Sequence, residues 1–261
     1  MFNTIPASTI TPTTPPVETF TWFPANLAAI NRRFEALHPR DVLCWGLTTL
    51  GKDIVLATGF GPTGIVLMHL ASQLQTRIPV FYLQTDLLFP ETMALRDQLA
   101  QRLGIEFIEV HSGLALDEQA RQYGPELWRR NPDLCCHLRK VEPLRRFLAG
   151  KRAWITGLRR DQSPDRTHTA VVAWDQANQL IKLNPLATWT RDRVWQYIHK
   201  YDLPYNALHD AGYPSIGCMP CTQAVTDSND ERAGRWAGLA KTECGIHIQP
   251  DGRLIRLAAQ L

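Results

Sequence analysis

Apolar residues in the middle of the chain fall into short continuous runs separated by helical patterns. Ile54-Val55-Leu56-Ala57-Thr58 is one such run, the mark of a strand buried on both faces. Gly59-Phe60-Gly61-Pro62-Thr63-Gly64 follows as a turn, and Ile65 to Leu74 reads as a helix with Pro62 near its first turn. Pro79 to Leu83 is a second strand. Pro90 to Leu103 is a helix, with Leu95, Leu99 and Leu103 on one face and Gly104 as its stop. Ile105 to Val110 and Ala153 to Thr156 complete the set as third and fourth strands. Upstream, Leu27, Ile30, Phe34 and Leu37 recur at three- and four-residue steps, so Trp22 to Leu50 is mostly helical.

This alternation predicts an α/β fold, a parallel twisted sheet with helices on both faces. Ligands bind such sheets beyond the carboxyl ends of the strands. The loops after Thr58, Leu83 and Thr156 should therefore share one rim. After Asn184 the pattern changes: one helix, Asp192 to Tyr201, precedes loops punctuated by Pro and Gly. The division expected is a mobile Thr/Pro-rich tail over 1–19, an α/β domain over 20–184, and a C-terminal extension over 185–261. The extension covers the active rim and forms one compact unit with the sheet.

Composition narrows the class. The chain has 261 residues, 44% hydrophobic, with a formal net charge of +3. So mild a charge does not suggest a general nucleic-acid binder, yet it permits a local basic pocket for a small anion. No apolar run approaches the roughly 20 residues of a membrane span. Residues 1–20 contain no Lys, Arg or apolar block, so neither a signal peptide nor an Arg-rich transit peptide is expected. A cytoplasmic location follows by default, with no membrane and no nucleic-acid partner. Six cysteines in a reducing compartment point to metal binding or catalysis rather than disulfides.

Four constellations could carry chemistry. The glycine loop has small residues (Thr58, Gly59, Gly61, Thr63) where backbone N–H groups could meet a phosphate or sulfate at a helix N-terminus. It lacks the Lys and spacing of a P-loop, and a plain tight turn explains it about as well. The basic segment Gly157 to Arg166 follows a buried strand, and its Arg forks suit sulfate or phosphate oxygens. A solvated surface loop is the bland alternative. Cys135-Cys136 and Cys218-Met219-Pro220-Cys221 are two close thiol pairs able to hold zinc or an iron–sulfur cluster. Inert buried thiols or a redox dithiol are the alternatives, and spacing alone does not select iron over zinc. Finally, Lys241-Thr242-Glu243-Cys244-Gly245-Ile246-His247 sets a Cys between Lys and His, which could favour a thiolate nucleophile. His199 and His209 are taken as structural.

Together these residues resemble the assimilatory sulfonucleotide reductases, and most closely the iron–sulfur-containing, thioredoxin-dependent adenylylsulfate (APS) reductases. The resemblance runs from about Ile54 to His247. Its specific elements are Cys-Cys-x-x-Arg-Lys-x-x-Pro (Cys135 to Pro143), Gly-x-Arg-Arg-x-Gln-Ser-x-x-Arg (Gly157 to Arg166), the Cys-x-x-Cys pair and Glu-Cys-Gly-Ile-His (Glu243 to His247). It implies an adenine-nucleotide hydrolase-like (PP-loop) sheet and a 4Fe–4S cluster on Cys135, Cys136, Cys218 and Cys221. It also implies a substrate pocket using Thr58, Gly59, Phe60, Gly61, Thr63, Leu83, Lys140, Arg159, Arg160, Arg166, Arg232, Arg235 and His247. Cys244 is then the catalytic nucleophile.

The implied reaction is reduction of APS to sulfite and AMP in sulfate assimilation and cysteine biosynthesis. A second thiol must attack Cys244 sulfur to release sulfite, and no cysteine follows Cys244. An external dithiol protein, thioredoxin by analogy, is the expected partner, and a homo-oligomer is permitted. Two departures touch the nucleotide end. Leu83-Gln84-Thr85-Asp86 stands where many relatives have Leu-Asp-Thr-Gly, and the glycine loop lacks the acidic residues many APS reductases carry. A reductase of the 3′-phosphorylated nucleotide, PAPS, is therefore the nearest alternative. An ATP-using tRNA-thiolating enzyme and a non-catalytic zinc module are the more distant ones.

Overall fold

The computed structural model describes residues 23–226 and 230–247. The tail expected over 1–19 lies outside the described residues. Two helices, α1 (Phe23–Phe34) and α2 (Pro39–Leu50), precede the sheet, so the helical stretch expected over 22–50 is broken. Pro39 explains the break, because it cannot donate the backbone hydrogen bond a continuing helix needs but suits a first turn. His38 caps α2 by accepting from the Arg40 N–H at 3.2 Å.

The sheet then builds through β1 (Ile54–Ala57), α3 (Pro62–Ser72), β2 (Val80–Gln84), α4 (Pro90–Leu103) and β3 (Phe107–His111). α4 stops at Gly104, whose φ of 62° is a left-handed cap that glycine adopts without cost. Four helical pieces follow: α5 (Leu116–Tyr123), α6 (Leu127–Arg130), α7 (Pro132–Cys136) and α8 (Glu142–Leu148). Next come β4 (Ala153–Ile155), β5 (Val172–Asp175), β6 (Leu180–Leu183) and α9 (Arg191–Lys200).

Strand order is β3-β2-β1-β4-β6-β5. All neighbours are parallel except β5, which closes the edge antiparallel to β6. The β5–β6 hairpin escaped the apolar pattern because Lys182 interrupts the run Leu180-Ile181-Lys182-Leu183. β3 begins two residues later than expected and is mostly exposed, as an edge strand is.

Alternation along the strands separates two cores. Ile54, Leu56, Ala153, Ile155, Ile181 and Leu183 point to one side, where α2, α3, α4 and α9 bury their apolar faces. Val55, Phe81, Val110, Trp154 and Leu180 point to the other, under Leu144 and Leu148 of α8. Between α7 and α8 the helix widens into a π-turn, His137–Val141. Pro143 accounts for it: the ring has no N–H for the carbonyl four residues back and crowds that turn. The widened turn carries Arg139 and Lys140.

Candidate active site

β1 and β4 lie side by side, but the chain leaves them toward opposite flanks, which opens a crevice at their carboxyl ends. A cavity of about 280 Å³ lies there, at the lower end of the size range of small-molecule sites. Thr58, Leu83 and Thr156 all line it, so the three loops do share one rim.

The glycine loop enters this cavity through its backbone. Phe60 takes the left-handed conformation, φ 59°, which a bulky residue holds only when its surroundings fix it. Phe60 lines the cavity while its ring is buried against Tyr82 and Phe107, with centroids 5.1 and 5.3 Å away, so the side chain anchors the loop. Thr58 Oγ1 accepts the Phe60 N–H at 3.0 Å. No side chain caps the N-terminus of α3 at Gly61, which leaves first-turn N–H groups for an anion.

The predicted cations separate into two groups. Lys140, Arg166, Arg232 and Arg235 line the cavity. Arg159 and Arg160 do not, which corrects the expectation that both face the ligand. Arg159 is 1% exposed and braces the wall from behind, donating to Thr63, Asp161 and Glu231. Arg160 turns away and clasps Glu35 with both terminal nitrogens, at 2.9 and 2.6 Å. The two side chains are 34% and 40% exposed, so the pair contributes little. Arg160→Ala is expected to cost about 0.5–1 kcal/mol of stability and leave KM within about twofold, as denaturation and steady-state rates would show.

The segment 241–247 runs over the cavity as a strap fastened at three points. Lys241 pairs with Asp133 of α7. Glu243 receives both Arg166, at 2.7 and 2.8 Å, and Arg232, at 3.2 Å. His247 stacks on Trp154 with an interplanar angle of 27°, and its Nδ1 lies 3.1 Å from Lys182 Nζ. Cys244 lines the cavity between these fastenings, and Gly245 turns the chain at φ 85°, a conformation other residues rarely take. Lys241 is held by Asp133, while His247, held by Lys182 and Trp154, lines the same cavity as Cys244.

Lys182 and Glu243 were missed by the sequence reading. A lysine inside an apolar strand was the available signal for the first. Burial pushes Lys182 down to about 8, with Arg166 adding to the effect while Asp175 and Glu243 oppose it. Burial, Lys182 and Arg166 hold His247 well below the usual imidazole range, so it is neutral. The unfolded chain keeps the Lys182 proton up to 10.5, whereas the folded chain releases it near 8. Stability should therefore rise with pH across that window, the burial cost being fully present below it. Relative to Lys182→Met, wild type should gain about 2–3 kcal/mol between about pH 7 and pH 10, as denaturant titrations of both proteins would show.

The four paired cysteines surround Lys140. Cys135, Cys218 and Cys221 share an apolar nest with Leu87, Leu127 and Trp128. The 218–221 turn is held there by a bridge from Cys218 to Leu88 and by the Met219 N–H on the Leu87 carbonyl at 2.7 Å. Burial pushes the Cys135 thiol up to about 11 and Cys136 to about 12. Cys218 goes the other way: burial opposes its thiolate, but Lys140 and a 3.3 Å contact with Thr85 Oγ1 lower it below the usual thiol range. Lys140 in turn is raised above the ordinary lysine range, burial being outweighed by Cys218, Cys136 and Cys244. All six cysteines are free thiols, and Cys44 is exposed on α2, on the far side of the sheet from the strap. Among the described residues no three His, Cys, Asp or Glu side chains stand close enough to share a single ion.

The Phosphoadenosine phosphosulfate reductase domain model matches residues 53–224. The adenosine 5′-phosphosulfate reductase of Salinibacter ruber is 52% identical over 88% of this chain and 92% of that protein. The phosphoadenosine 5′-phosphosulfate reductase of Gloeobacter violaceus is 48% identical over 85% of this chain and 93% of that protein. A solved phosphoadenylyl-sulfate (PAPS) reductase from Candida auris, in a phosphate complex, superimposes with a TM-score of 0.67. It is 30% identical and covers 77% of this chain and 97% of its own. A family model over residues 53–224 and relatives about 50% identical along most of their length agree, and the chain belongs to the phosphoadenosine phosphosulfate reductase domain family.

Proposed function

We propose that this chain reduces adenosine 5′-phosphosulfate to sulfite and AMP, with Cys244 as the nucleophile. The observation that carries the reading is a cysteine on the wall of a cavity that also presents Lys140, Arg166, Arg232 and Arg235. The substrate is a mixed anhydride whose sulfur is electrophilic and whose nucleotide phosphate leaves readily. Negative charge is what bars a thiolate from it, and clustered cations remove that barrier and stabilise charge developing on the phosphate. Cys244 thiolate attacks sulfur, an S–S bond forms, and the S–O bond breaks with its electron pair going to AMP. The enzyme then carries S-sulfocysteine.

An external dithiol of the thioredoxin kind completes the cycle. Its thiolate attacks Cys244 sulfur and expels sulfite, and its second thiol resolves the mixed disulfide, returning the Cys244 thiol. The dithiol supplies both electrons. Cys44, exposed on the opposite side of the sheet, does not reach Cys244, which supports a partner protein as the second thiol. The chemistry takes place in solution within the cytoplasm, and no helix among the described residues is long and apolar enough to cross a membrane.

Cys135, Cys136, Cys218 and Cys221 fit an iron–sulfur group of the 4Fe–4S type. Cys135, Cys218 and Cys221 share one nest with Cys136 next to Cys135 in the chain, and the buried indole N–H groups of Trp128 and Trp236 have no hydrogen-bond partner among the described residues, suiting donation to cluster sulfur. When bound, the group supplies a fixed local charge beside Lys140 and a rigid link between α7 and the 218–221 turn.

PAPS is the alternative substrate, favoured by the names of the Gloeobacter and Candida relatives. Sulfite release from APS and from PAPS at equal concentration, with thioredoxin, tests the choice. The proposal expects kcat/KM for APS to be at least about tenfold higher. A preference for PAPS would overturn it.

A further inference from the structure

Resting on the function proposed above, we infer that Glu243 is a tethered anion that keeps the substrate's place on Arg166 and Arg232. Substrate oxygens take those arginines by exchange with it. The Glu243 side chain is 3% exposed, although glutamate is ordinarily a surface residue. It meets Arg166 fork to fork, at 2.7 and 2.8 Å, and Arg232 at 3.2 Å. Both arginines make further hydrogen bonds beside it. Arg166 Nη1 gives its hydrogen to Gln162 at 2.6 Å, and Arg232 donates to the Thr242 carbonyl at 2.7 Å. Lys140 and Arg235, on the same cavity wall, are in no ion pair among the described residues.

The cavity thus offers two cations that no carboxylate holds among the described residues and two that a carboxylate already holds. An Arg fork pairs with one planar pair of oxygens at a time, and carboxylate and phosphosulfate oxygens compete for the same fork. A second anion entering beside Glu243 would face it in a weakly screened interior. Exchange is the arrangement that satisfies both. It also has a direction built into the chain, because Glu243 is bonded to Cys244. When Glu243 leaves the arginines, the middle of the strap loosens. Lys241 on Asp133 and His247 on Lys182 have other partners and stay fastened, so Cys244 remains tethered at both ends over the bound sulfate. Glu243 is a positioning residue in this scheme: it keeps Arg166 and Arg232 from repelling each other in the free enzyme and couples substrate arrival to release of the nucleophile.

The sign of one measurement tests this. APS binding is measured by calorimetry to Cys244→Ser, which cannot turn over, and to Cys244→Ser/Glu243→Gln. Loss of a merely structural fastening weakens binding or leaves it unchanged. Loss of a competitor tightens it, by about fivefold or more on the usual scale of coupled sites. Hydrogen exchange of the backbone over 242–244 in Cys244→Ser should rise when APS is added, a readout that needs no second variant. In turnover, Glu243→Gln should lower KM and kcat together. Equal or weaker APS binding by the double variant, or protection of 242–244 on APS binding, would overturn the inference and leave the function standing. No APS binding to Cys244→Ser would overturn both.

Discussion

Cys244→Ser is expected to bind adenosine 5′-phosphosulfate and to release sulfite at least about a thousandfold more slowly than wild type. The size of the loss follows from the role. A hydroxyl in place of a thiol is a far weaker nucleophile at neutral pH, and an ester formed on serine could not be cleaved by a dithiol. Arg166 and Arg232 stay in place, because their hydrogen bonds go to Glu243, Gln162 and the Thr242 carbonyl and not to the Cys244 sulfur. A large fall in rate with little change in affinity separates a nucleophile from a cysteine that merely packs. Stopped assays for sulfite, beside calorimetric APS binding, read the two quantities independently.

The second large effect concerns the cysteine nest. Cys218→Ser is expected to lower iron and sulfide in anaerobically purified protein to near background and to reduce activity by about a hundredfold or more. The bridge from Cys218 to Leu88 is made by the backbone and survives the substitution, so the change removes the sulfur ligand and its 3.3 Å contact with Thr85 Oγ1. Lys140 would lose a neighbour whose charge holds its own in place. Cys44→Ser is the matched control: exposed on α2, it should leave metal content and rate unchanged. Bound zinc in wild type, with neither iron nor sulfide, would contradict the assignment.

Much of the fold was legible because four buried strands announce themselves as continuous apolar runs, and helices between them carry proline starts and a glycine stop. β6 was not, since Lys182 sits in the middle of its four residues, and β5 pairs with it at an edge where apolar continuity is not required. The π-turn at His137–Val141 was equally hidden, although Pro143 is its cause. In the site, short motifs located the right segments but not the direction of each side chain. Arg159 and Arg160 are adjacent, yet one braces the wall and the other reaches Glu35, more than a hundred residues upstream in the chain. Phe60 belongs to the ligand loop by sequence and to the core by its ring. Glu243 stood in the motif beside Cys244, and only the fold reveals that its carboxylate lies on the arginines. Partners distant in sequence are decided by packing, which a linear pattern does not record.

The most direct test of the account is the intact mass of the reduced protein after incubation with adenosine 5′-phosphosulfate in the absence of any dithiol. The account predicts a gain of one SO3 group per chain, mapped to Cys244, with one equivalent of AMP released and sulfite appearing only when thioredoxin is added. Many equivalents of sulfite without a dithiol, or an unmodified Cys244 after AMP has been released, would contradict it.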